Sequence, residues 1–153
     1  MMYMIIFNIL FGILAGSVIK SESESDVMKK YKWKKRPILI FAPSQEDSAY
    51  QALKKDISKL EAEIIDRDIV VLHLFEDGSG WAANAKLDSS MVGELRDKYD
   101  ISNNDITVIL IGKDGGEKIR QQGTFDLEEI FRRIDAMPMR RSEMRNRSEN
   151  KNE

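Results

Sequence analysis

Residues 107–120 read TVILIGKDGGEKIR, and this stretch decides the fold. Thr107 to Ile111 is an apolar, β-branched run of buried-strand length, Lys113 to Gly116 reverses the chain, and Glu117 to Gln121 alternates as the returning strand. Asp114-Gly115 is a strong turn pair, because turns that match strand twist need a positive φ, which glycine adopts without a Cβ clash. The stretch predicts a β-hairpin, and the helices of the chain must pack on the sheet built around it.

Upstream, residues 37–42 (PILIFA) form a continuous apolar run that reads as an interior strand, with Pro37 tolerable only at its start. From Ser44 the period turns helical. Tyr50, Leu53, Ile57, Leu60 and Ile64 make one apolar stripe on a helix of about twenty residues, begun by Ser44 or Gln45. Residues 69–75 (IVVLHLF) give a second buried strand, and strand–helix–strand makes the two strands parallel with a right-handed crossover. Residues 76–89 read as a loop, long enough for a lid or a rim. Ser90 caps a helix with Met91, Leu95 and Tyr99 inward, Asn103-Asn104 turns the chain into the hairpin, and Asp126 with Glu129 forms a capping box for a last helix. That helix buries Leu127, Ile130, Phe131 and Ile134, and Pro138 stops it. Residues 140–153 read as a disordered charged tail.

The 153 residues carry a net charge of −2, which argues against a nucleic-acid binder, whose affinity rests on excess Lys and Arg. Residues 1–19 contain no charge until Lys20, and Ala15-Gly16-Ser17 is a small-x-small cleavage pattern, so residues 1–17 read as a signal peptide and the protein as secreted or periplasmic. An uncleaved membrane anchor is the alternative, since no basic residue precedes the apolar run and Lys20 and the cluster Lys29 to Arg36 follow it. The membrane is then met only through this segment. Residues 18–35 read as a linker and basic lead-in, six of the eight residues 29–36 being Lys or Arg, with Trp33 docked on the domain edge. Anionic lipid or acidic glycan is the functional alternative for that patch. The chain has no cysteine, which excludes disulfides, thiolate nucleophiles and thiol-ligated metals.

The predicted order, strand–helix–strand–helix–strand–strand–helix over residues 36–139, is that of the thioredoxin fold, an α/β class with a mixed four-stranded central sheet flanked by helices. At finer grain the chain resembles a thioredoxin-like domain of unknown function, shared by bacterial secreted proteins and vertebrate sushi-repeat-containing and extracellular-matrix proteins. The resemblance is carried by Arg36-Pro37, Phe41-Ala42-Pro43-Ser44, Arg67-Asp68, Gly112-Lys113-Asp114-Gly115-Gly116 with Lys118 and Arg120, and the run from Ile134 to Arg140. It implies the fold and an extracytoplasmic address, but no settled activity. Where redox thioredoxins carry catalytic thiols after the first strand, this chain has Pro43-Ser44-Gln45-Glu46-Asp47-Ser48. Where they carry a cis proline before the third strand, it has Asp105-Ile106.

Candidate chemistry is thin. The single histidine, His73, reads as a partly buried strand residue hydrogen-bonded to its neighbours; the sharper alternative is a hydrolase using Ser44 or Ser48, His73 and Asp77, for which no nucleophile-elbow pattern exists. Met137, Met139 and Met144 form either adaptable packing or a thioether set for Cu(I). No glycine-rich phosphate loop precedes a helix, so no cofactor, metal site or catalytic residue is assigned. The charged set Lys113, Asp114, Lys118, Arg120, Asp135 and Arg140 has two readings. It is an internal ion-pair lock between hairpin and last helix, or a surface for an unknown protein or anionic ligand. The similar number of opposite charges favours the lock. The expectation is a non-catalytic binding module; a cysteine-independent enzyme and Met-based copper handling are the alternatives.

Overall fold

Seven consecutive buried residues make strand β1, Arg36–Ala42, the axis of the molecule. The computed structural model describes residues 24–102 and 105–150; the expected leader and the Asn103-Asn104 turn lie outside them. β1 pairs in parallel with β2, Ile69–Phe75, and antiparallel with β5, Thr107–Ile111, which returns as β6, Glu117–Gln122. The hairpin turn is as the sequence predicts. Gly115 sits at φ +87, the Gly112 N–H donates to the Gly116 carbonyl at 2.8 Å, and Asp114 Oδ1 accepts from the Gly116 N–H at 3.0 Å.

The sheet has six strands rather than the expected four, in the order β4-β3-β2-β1-β5-β6. The extra pair, β3 at Gly80–Ala82 and β4 at Ala85–Lys86, lies inside the segment read as a loop. Strands of three and two residues carry too little periodicity to register in sequence. Their pairing is supplied by the open edge of β2, where Trp81 lies opposite His73.

Because successive side chains of a strand point to opposite faces, β1 feeds two cores. Ile38, Ile40 and Ala42 meet helix α2 (Ser48–Lys59) through Tyr50 and Leu53, and helix α5 (Leu127–Asp135) through Ile130 and Ile134. Leu39 and Phe41 meet helix α1 (Glu24–Tyr31) through Val27, and helix α4 (Ser89–Lys98) through Met91, Val92 and Leu95. Each fully buried aliphatic or aromatic side chain contributes about 1.5–3 kcal/mol, so covering both faces explains why a 42% hydrophobic chain holds together without disulfides.

Helix termini depart from the sequence reading by a few residues. The long helix predicted from Ser44 begins at Ser48, capped by Asp47, whose Oδ1 accepts from the Tyr50 N–H at 2.9 Å, and breaks at Leu60 before α3, Glu61–Asp66. Asp88, not Ser90, caps α4. Asp126 caps α5 as expected, but Glu129 does not return the bond; Gln121 Oε1 accepts from the Asp126 N–H instead.

Two segments read as loose are structured. Residues 24–31 of the expected linker form α1, with Val27 fully buried. α5 ends at Asp135, before Pro138 as expected, but Pro138 then starts a further helix, α6, Pro138–Glu149, which runs through most of the expected tail. A first-turn position needs no N–H from its residue, so proline fits there. Ion pairs to β1, the hairpin turn, α3 and α5 hold α6 in place.

Candidate interaction site at the base of the sheet

The N-terminal ends of β1 and β2 and the end of β5 meet at one edge of the sheet, and α6 crosses it. There Arg36, only 1% exposed, donates from Nη1 and Nη2 to both carboxylate oxygens of Glu143, at 3.2 and 3.1 Å, and from Nη1 to the Arg67 carbonyl at 2.8 Å. Lys113, also buried, donates to Glu143 Oε1 at 2.7 Å and to Asp68 Oδ2 at 2.9 Å. Burial raises the Glu143 carboxyl, but hydrogen bonds from Arg36 and Lys113 and their charges outweigh it and hold the group below its ordinary range. Asp68 behaves alike, with Lys113 and Lys35 outweighing its burial.

A second knot lies alongside. Arg140, buried, donates to Asp135 Oδ1 at 3.1 Å and to the Asp66 carbonyl at 2.8 Å, and ion-pairs with the Asp66 carboxylate. Arg67 joins Asp135 at 2.7 Å and stacks its guanidinium 4.7 Å from the Phe131 ring centroid. The lock therefore ties β1, α3, β2, β5 and α5 to α6.

The six charged residues singled out from sequence fall into three groups. Lys113, Asp135 and Arg140 belong to the lock. Asp114 and Lys118 pair with each other at 2.7 Å across the turn. Arg120 pairs with Glu117 at 2.9 Å and donates to the Tyr99 carbonyl at 2.9 Å. Glu143, the carboxylate joining Arg36 to Lys113, escaped the sequence reading because it lies in a segment without an apolar face.

Among the described residues no hydrogen bond joins the expected hydrolase set of Ser44 or Ser48, His73 and Asp77. Ser44 Oγ accepts from the Glu46 N–H at 3.2 Å and Asp77 Oδ1 accepts from the Ser79 N–H at 2.8 Å, both as turn-forming groups. His73 shares a 3.1 Å hydrogen bond with the Tyr50 hydroxyl and packs 5.2 Å from the Trp81 ring. Burial, helped by the Lys54 charge, pushes His73 down to about 4, and burial pushes Tyr50 up to about 12. Of the three methionines, Met137 and Met139 line one cleft. Among the described residues no group of three His, Asp or Glu side chains is placed to hold a metal ion.

That cleft, about 340 Å³, lies beside the lock. Trp33, Met137, Pro138 and Met139 wall it, and Arg36, Lys113 and Lys118 reach it from the charged side. Trp33 is 60% and Met139 41% exposed. The sequence reading had Trp33 docked on the domain edge; instead the turn holds its ring in solvent. No helix among the described residues is long and apolar enough to cross a membrane.

A mixed sheet covered by helices on both faces, with Pro43-Ser44 where a thiol motif would follow the first strand, defines a thioredoxin-like domain without redox sulfur. Solved structures agree on the fold. The reduced 2-Cys peroxiredoxin of Plasmodium vivax aligns with a TM-score of 0.56 and 16% identity, covering 71% of this chain and 80% of that one. The exposed lipoprotein thioredoxin of Streptococcus pneumoniae aligns with a TM-score of 0.52 and 20% identity, covering 72% and 90%. The chain belongs to the family described as Domain of unknown function (DUF4174), which matches residues 27–143. It is also similar to Coiled-coil domain-containing protein 80 of Danio rerio, 26% identical over 149 residues, 87% of this chain but 17% of that much longer protein.

Proposed function

We propose that this domain recognises a partner through the cleft at the base of its sheet, in a secreted or periplasmic protein, and carries out no covalent step. The cleft carries the reading. It joins an exposed indole and an exposed thioether to a rim of cations, and aromatic and Met side chains are the types that supply large or adaptable apolar contact at recognition surfaces. The charges around it are largely consumed by the lock, so the lock serves to hold the cleft rigid rather than to bind an anion itself. Export is supported by the uncharged apolar residues 1–19 with Ala15-Gly16-Ser17 at their end; retention of that segment as an anchor is the alternative address.

A photo-crosslinking residue in place of Met139, in cells making the full chain, tests the binding reading. Discrete adducts, to protein or to lipid, that vanish with Trp33→Ala are expected; adducts indifferent to Trp33, or none, sink it. N-terminal sequencing of exported material tests the address: a chain beginning at Val18 is expected, and cytosolic chain beginning at Met1 refutes it.

A further inference from the structure

We propose that the Trp33 face docks on an anionic lipid surface, with the indole at headgroup level. This rests on the cleft being the recognition face and adds the identity of its partner.

Trp33 occupies the turn between α1 and β1 with φ 65, a left-handed backbone that bulky residues rarely adopt. Three hydrogen bonds fix the turn. The Trp33 N–H donates to the Lys113 carbonyl at 2.6 Å, and the Lys34 and Lys35 N–H groups donate to the Tyr31 carbonyl at 2.9 and 2.8 Å. A rigid turn thus presents an indole outward although two apolar cores lie within the same domain. Met139 is exposed on the same cleft.

Cations frame the indole. Lys30, Lys32 and Lys34 are exposed, and none forms an ion pair with a described residue. Lys32 Nζ lies 5.7 Å from the Trp33 ring centroid and Lys30 Nζ 5.2 Å from that of Tyr31. Lys32, Met28 and Tyr31 also line a cavity of about 250 Å³ that shares Gly112 and Asp114 with the cleft, so apolar and cationic surface continues around the hairpin base.

The kind of cation selects the partner. Planar, bidentate recognition of a protein carboxylate uses arginine, and here Arg36, Arg67 and Arg140 are engaged within the lock. The cations left around Trp33 are lysines, point charges suited to the diffuse negative potential of a bilayer, where an indole also partitions favourably.

The test uses the full chain carrying Trp81→Phe, which leaves Trp33 as its one tryptophan, with phosphatidylcholine vesicles that contain or lack phosphatidylglycerol. Reading the depth of Trp33 separates docking of this face from any hold exerted by residues 1–19. Expected are a blue shift and quenching by acyl-brominated lipid only when phosphatidylglycerol is present, both reversed by high salt. Each of Lys30→Gln, Lys32→Gln and Lys34→Gln lowers the partition coefficient about fivefold. Trp33 remaining open to acrylamide on anionic vesicles, or entering neutral ones equally, overturns the proposal. Adducts from position 139 with Trp33 indifferent to vesicles would overturn lipid docking and leave the recognition reading standing, whereas silence in both assays would remove both.

Discussion

Glu143→Ala tests the lock most directly, because one carboxylate holds two buried cations. Breaking a buried ion pair by removing one partner costs about 3–5 kcal/mol, since the remaining charge stays out of water without compensation. Arg36 is 1% exposed and would keep only the Arg67 carbonyl at 2.8 Å, while Lys113 would keep Asp68 at 2.9 Å. Glu143 itself is 21% exposed, and each cation retains one acceptor, so the lower end of the range applies, about 3 kcal/mol. With a urea slope of about 1.5 kcal/mol/M, the unfolding midpoint falls by about 2 M. Arg36→Met combined with Glu143→Leu should recover more than half of the loss, because an apolar pair leaves less charge stranded than a broken ion pair. The pH dependence has a definite sign. The folded Glu143 carboxyl lies below its ordinary value, so its contribution is complete above the unfolded pKa and is lost as pH falls through the folded one. The gap between wild type and Glu143→Ala must therefore narrow on acidification. A loss under about 1 kcal/mol at neutral pH, the level of an exposed ion pair, would refute the lock.

Three further outcomes follow from the geometry. His73, with a pKa near 4 in the folded chain against 6.5 unfolded, binds its proton less readily when folded, so its contribution is complete above 6.5 and falls as pH drops toward 4; this group alone should lower stability by about 2 kcal/mol between pH 7 and 4.5, and His73→Leu should shrink the pH dependence by about that amount. Gly80→Ala should destabilise by about 2 kcal/mol because its Cβ would meet the His73 carbonyl oxygen at 2.7 Å, whereas Gly93→Ala, with nothing within 4 Å, should stabilise α4 by up to about 1 kcal/mol; equal effects in urea titrations would contradict the packing described for β3. Deleting residues 138–150 strips Arg36, Lys113, Asp66 and Asp135 of partners at once and should cost more than Glu143→Ala alone, while unchanged thermal unfolding would mean that α6 contributes nothing.

Local pattern and long-range packing divide what was legible from what was not. The hairpin, both central strands and the inward stripes of α2, α4 and α5 were readable, because each rests on the alternation of apolar residues along a few turns or one strand, a local property. The lock was half visible. Lys113, Asp135 and Arg140 stood out, but Lys118 and Arg120 satisfy themselves beside the turn with Asp114 and Glu117, and Glu143 gave no sign. The edge strands β3 and β4 were too short to announce themselves.

By itself the sequence determined the thioredoxin-like class and the absence of thiol chemistry, since buried strands and missing cysteine are written residue by residue. Only the tertiary structure decided that the polar C-terminal stretch is a helix and that Trp33 faces solvent. An ion pair spanning 107 positions, Arg36 to Glu143, leaves no periodic trace in the chain. It exists only once the fold has gathered buried Arg36 and Lys113 at one end of the sheet, and these desolvated cations then draw Glu143 of α6 onto them.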